Sequence, residues 1–124
     1  METNLIFAFI LFMAGIVAGA VLGLFFYKDD FLGGYSSFKR RIVRLGHISF
    51  FGIGILNVLF YLSAKSLALS SSELYLSSSL FIIAGITMPL ICFLSAYKSY
   101  FRHLFFIPVL STFFAIYFFI KIIL

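Results

Sequence analysis

Residues 39–61, KRRIVRLGHISFFGIGILNVLFY, carry four cationic side chains that give way abruptly to an apolar run holding one histidine and one asparagine. Arg40, Arg44, His47, Phe51 and Gly54 recur at helical spacing, so a helix through the stretch sets guanidinium and imidazole groups on one side, descending from headgroup level into a bilayer. Asn57 and Tyr61 continue near that face, and the other side is Ile, Leu, Val and Phe. The polar side should face protein, because lipid offers it no hydrogen-bond partner.

The rest of the chain agrees with a membrane setting. Of its 124 residues 64% are hydrophobic and 10% charged, whereas roughly a quarter are charged in soluble domains. We expect an all-α integral membrane protein: a single domain, 1–124, of four transmembrane helices in an up-down antiparallel bundle, with spans at about 5–27, 45–64, 73–97 and 104–124. The first run has 23 uncharged residues, enough to cross about 30 Å of hydrocarbon at about 1.5 Å per residue. Its Ala18-Gly19-Ala20 triplet resembles a signal-peptidase site, but the run is long for a signal peptide and Glu2 precedes it in place of Lys or Arg.

Local signals place the helix ends. Gly33-Gly34 reads as a turn, and Ser36 or Ser37 suits the N-cap of the second helix. Ser70-Ser71-Ser72-Glu73 matches a capping box and starts the third helix near Ser71. Pro89 predicts a kink there that frees the Gly85 carbonyl, with the Thr87 hydroxyl close in sequence. Pro108 falls in the opening turns of the fourth helix, where a missing N–H costs little.

Two small-residue stripes predict close helix contact. Gly15, Gly19 and Gly23 form G-x-x-x-G-x-x-x-G, and Ser78, Gly85 and Cys92 repeat every seven residues. Each suits a helix of this chain or of a neighbour.

Charge predicts the orientation. Lys28, Lys39, Arg40, Arg41, Arg44, Lys98 and Arg102 fall in or beside the first and third connections, against only Lys65 and Lys121 on the other side, which puts both termini outside the cytoplasm. Lys39, Arg40, Arg41, Arg44, Lys98 and Arg102 are then membrane-surface residues facing anionic headgroups on the cytoplasmic side of a plasma (inner) membrane. The formal net charge of +5 is accounted for in this way, and nucleic acid is not an expected partner, since there is no separate basic domain.

The residues name no reaction. Nothing sets a nucleophile beside a base and an orienting acid, the Asp29-Asp30 pair supplies too few oxygens for a hard cation, and the single cysteine, Cys92, excludes an intramolecular disulfide. We therefore expect no enzyme activity and no cofactor, and an accessory or structural subunit that packs against other membrane subunits or itself. A first alternative is a small transporter or channel-like protein using His47 and Asn57, although no run contains a carboxylate at its centre. A second is an electron-transfer subunit clamping haem b between His47 and His103, the only two histidines. That reading puts spans two and four on a diagonal, with Arg40, Arg44 or Arg102 near the propionates and room for the macrocycle edge at Gly52 and Gly54.

Overall fold

A computed structural model describes residues 2–124. It is all-helical, with α1 at Glu2–Gly23, α2 at Phe38–Ser66, α3 at Ser71–Tyr97 and α4 at Phe106–Ile123. Short 3₁₀ segments at Phe31–Gly33 and Ser99–Phe105 complete the first and third connections. The chain forms four helices long and apolar enough to cross a membrane, the fourth counted together with the 3₁₀ segment before it.

The contacting residues give the direction of each helix. Gly15 meets Phe51, Gly19 meets His47 and Gly54 meets Phe12, so numbering rises along α1 as it falls along α2. Gly46 against Cys92 and Phe60 against Phe81 make α3 antiparallel to α2. Gly85 against Phe7 and Leu11 makes it parallel to α1. Met88 shares a groove with Pro108 and Thr112, while Leu74 and Phe81 cluster with Ala115, Phe119 and Ile122, so α4 returns antiparallel to α3. The two connections rich in cations therefore share one end of the molecule, called here the basic end.

The four helices do not close into a ring. α2 and α3 pack against each other; α1 lies on one flank of the pair and α4 on the other, and α1 and α4 do not meet among the described residues. Burial follows the same division. α1 buries one seam, Asn4, Ala8, Leu11 and Gly15, and α4 buries Pro108, Ser111 and Ala115. α2 and α3 bury wide faces, with Phe60, Ala64, Leu74, Phe81 and Ala115 forming the core that holds α4. Phe60 lies 5.2 Å from the Phe81 ring and 5.0 Å from the Phe119 ring, which links α2 to both later helices. α2 and α4 approach only through side chains such as Phe60 and Phe119, as the expected diagonal of spans two and four requires, and the departure from a closed bundle is that α1 and α4 are separated as well.

Several helix ends differ from the sequence reading for identifiable reasons. α1 begins three residues before the expected span because Asn4 finds partners on other helices, and it stops at Gly23 rather than Tyr27. There the Arg40 guanidinium takes the Phe26 carbonyl at 2.5 Å and the Lys28 carbonyl at 3.1 Å, which holds residues 24–30 as turns. α2 starts seven residues before the expected span, with Ser37 as its N-cap: the hydroxyl accepts from the Arg40 N–H at 3.2 Å and donates to the Leu32 carbonyl at 2.5 Å. Gly33 and Gly34 take φ of 85° and 97°, which is where a residue without Cβ is needed to reverse the chain.

α3 starts at Ser71 as expected, but the reciprocal capping box is not made. The Ser70 hydroxyl donates to Glu73 Oε2 at 2.6 Å instead of accepting from the backbone. Pro89 lies inside α3, which continues through it from Ser71 to Tyr97. The Thr87 hydroxyl does not serve the Gly85 carbonyl; it donates to Ile83 at 2.7 Å, one turn back.

Candidate functional site

Polar chemistry inside the helices concentrates at the end opposite the basic one. Asn4 of α1 is fully buried, and its Nδ2 donates to Asn57 Oδ1 of α2 at 2.8 Å and to the Ser78 carbonyl of α3 at 3.2 Å. The Ser78 hydroxyl donates in return to Asn4 Oδ1. Asn57, also fully buried, donates to the carbonyls of Ile53 at 2.9 Å and Phe81 at 3.4 Å. Two carboxamides and a hydroxyl thus join three helices at one point. Among the described residues these are the side-chain hydrogen bonds that run from one α-helix to another. The hydroxyls of Ser49, Thr87, Ser111 and Thr112 bond back to their own helices, whereas those of Ser77 and Ser95 are buried on α3 with no partner among the described residues.

Asn4 was missed in the sequence because it precedes the uncharged run that defined the first span. A signal was present: Asn4, Ala8, Leu11 and Gly15 continue the glycine stripe at helical spacing toward the N-terminus. Only the partners on α2 and α3 make that seam a site.

The glycine stripe divides. A Cβ on Gly15 would come within 2.7 Å of the Phe51 ring, and one on Gly19 within 2.6 Å of His47 Nε2, so both admit α2 at close range. A Cβ on Gly23 would meet nothing within 4 Å. The stripe on α3 also packs within the chain: Ser78 and Gly85 face α1, and Cys92 lies against Gly46 of α2. Both stripes serve intramolecular contacts.

At the basic end the cations separate into different roles. Arg40 is buried, with its guanidinium 4.7 Å from the Phe26 ring centre and bonded to two carbonyls of the first connection. Burial and these bonds remove it from the headgroup role. Arg44 is half-buried and lies 4.4 Å from the Tyr35 ring centre, with a 3.3 Å bond to the Tyr35 carbonyl. Lys39, Arg41, Lys98 and Arg102 are exposed.

His47 is half-buried beside Gly19, its ring 5.5 Å from that of Phe51. Together with Arg44, Gly19, Leu22, Gly23 and Phe26 it lines a groove of about 320 Å³ between α1 and α2. His103 is exposed on the 3₁₀ segment that packs against α3 and α4, not α2. The two imidazoles therefore lie on opposite flanks. The room expected at Gly54 is filled by Phe12, whose ring a Cβ there would approach to 2.5 Å, and Gly52 is exposed on another part of α2. The residues present do not fit a haem clamped between His47 and His103.

His47 and Asn57 do not form a shared path either. Asn57 is closed within its hydrogen bonds, and the groove at His47 opens on the α1–α2 flank. Among the described residues no three of His, Cys, Asp and Glu come together. Comparison with known protein families, curated proteins and solved structures finds no match to this chain.

Proposed function

We propose that this chain is a small, non-enzymatic integral membrane protein that works as an accessory or structural subunit, packing against another membrane protein or a second copy of itself. The observation that supports the reading is the use made of its intramembrane polar groups. Asn4, Asn57 and Ser78 bond one another across helices, which is how polar side chains fix a bundle in hydrocarbon. α1 and α4 each bury a narrow seam and present broad apolar faces outward, with Met13, Ile16, Val17, Val109 and Phe113 more than half exposed. These faces, not the glycine stripe, are the ones a neighbouring subunit would cover. In this reading the basic end lies at the cytoplasmic surface of a plasma (inner) membrane and both termini lie outside the cytoplasm.

Purification under mild detergent tests the association, with co-purification of a membrane partner or a stable homo-oligomer as the expected result. A lone monomer after gentle extraction and cross-linking in intact membranes would overturn it.

A further inference from the structure

The groove between α1 and α2 at the basic end is walled by apolar surface like the other recesses and differs from them in having a cation at its edge. One side of its lining is Gly19, Leu22, Gly23 and Phe26, and the other is Ile48 with Arg44 and His47, one helical turn apart, showing mainly their apolar atoms. The lining of the groove between α2, α3 and α4, by contrast, includes no charged side chain. A Cβ on Gly23 would meet nothing within 4 Å, so the wall there is open where Gly15 and Gly19 are tightly covered. The recess is therefore a slot that begins at headgroup level and runs toward the middle of the helices.

Arg44 has donors to spare. It forms one long bond, 3.3 Å, to the Tyr35 carbonyl, and no carboxylate pairs with it among the described residues. Stacking on Tyr35 holds its guanidinium over the connection rather than free in solvent. The His47 ring instead turns Nε2 onto Gly19, where a Cβ would come within 2.6 Å of it. Arg40, one turn before Arg44, is buried, with its two terminal nitrogens on the carbonyls of Lys28 and Phe26 and its Nε enclosed without a partner among the described residues. Donors without acceptors beside an apolar slot are costly in hydrocarbon unless an acceptor arrives with its own apolar part.

We propose that this groove binds one anionic phospholipid, with its phosphate on Arg44 at the edge and an acyl chain along Phe26, Gly23 and Leu22. A guanidinium recognises phosphate oxygens by paired N–H donation. The slot continues from those donors in the direction that an acyl chain takes from a headgroup into the bilayer. The site rests on the membrane-spanning reading, and it is distinct from the outward faces assigned to a protein partner.

The test is native mass spectrometry of the full chain extracted from vesicles of phosphatidylglycerol and phosphatidylcholine in equal amounts. Wild type is expected to retain one phosphatidylglycerol in preference to phosphatidylcholine. Arg44→Gln removes the charge-assisted bonds, and Gly23→Leu fills the slot while leaving every cation in place; each should weaken retention about tenfold. Arg102→Gln carries the same charge change on the other flank and should leave retention unaltered. Equal losses in the Arg44→Gln and Arg102→Gln proteins, or retention surviving in Gly23→Leu, would overturn the site in favour of diffuse surface attraction or a free-phosphate site. Carbonate washing of the same vesicles separates the two levels: a protein that resists washing but shows no selectivity loses only the lipid site, and one that washes off loses the membrane reading beneath it.

Discussion

Asn57 is the residue on which the interior depends most. It bonds Asn4 and two backbone carbonyls with no exposed surface, so Asn57→Ala leaves the Asn4 carboxamide short of a partner in an apolar setting. A loss of about 1–2 kcal/mol is expected, above the average for one interhelical bond in a membrane protein. Reversible unfolding in detergent should show Asn4→Ala and Asn57→Ala to be non-additive as a pair, since either one breaks the same junction. Additive losses would mean that the two carboxamides act separately. Arg40 has the corresponding role at the other end. Its planar fork reaches two carbonyls at once, so Arg40→Lys, which keeps the charge but offers a point donor, should still raise protease cleavage within residues 24–37. Cleavage at the wild-type rate in that variant would show that charge, not geometry, holds the connection.

Among the elements, α1 shows how one motif divides between packing and open space. Gly19→Leu drives a side chain into His47 and should separate α1 from α2, lowering stability by about 2 kcal/mol or more, within the range of overpacked cores. Gly23→Leu meets nothing and should leave the thermal midpoint in detergent within a degree or two of wild type. Equal effects of the two would contradict the division of the stripe. The turn between α2 and α3 offers a change in the opposite direction. Leu69 N–H bonds the Ala64 carbonyl and Ala68 N–H bonds that of Lys65, the paired bonds of a Schellman ending, with Ala68 at φ 52°. This left-handed position favours glycine, so Ala68→Gly should stabilise by about 0.5–1 kcal/mol, read as a raised thermal midpoint. A lowered midpoint would show that the Ala68 methyl contributes more than its backbone strain costs.

For the whole molecule, the arrangement is a central α2–α3 pair with two flanking helices held in different ways. α1 is tied at its start by Asn4 and beyond its end by Arg40. α4 is held by apolar packing around Phe60, Ala115 and Phe119, with no side-chain hydrogen bond to another helix among the described residues. Placing the basic end in the cytoplasm predicts the outcome of cysteine labelling in a Cys92→Ser background. Positions 36 and 71 are both exposed and lie at opposite ends, so an impermeant reagent added to intact cells should label a cysteine at Ser71 and spare one at Ser36. The reverse pattern would invert the topology.

Composition and hydropathy alone determined the helix count, the approximate spans and the clustering of cations at one end, because those are properties of consecutive residues and need no knowledge of what packs where. The starts of α2 and α3 were legible for the same reason: Ser37 accepts from the Arg40 N–H three residues on, and Ser70 meets Glu73 at the same spacing, side chain to side chain. The partners of each face were decided only by the tertiary structure. Nothing in the spacing of Gly15, Gly19 and Gly23 says that the first two meet α2 and the third meets nothing. Asn4 looked like a terminal polar residue until α2 and α3 brought Asn57 and Ser78 to it, and His47 and His103, at similar depth along the chain, came out on different flanks once α1 and α4 were separated by the central pair. Depth along a helix is written in the order of residues, whereas rotation about its axis and choice of neighbour are set by how whole side-chain surfaces fit together.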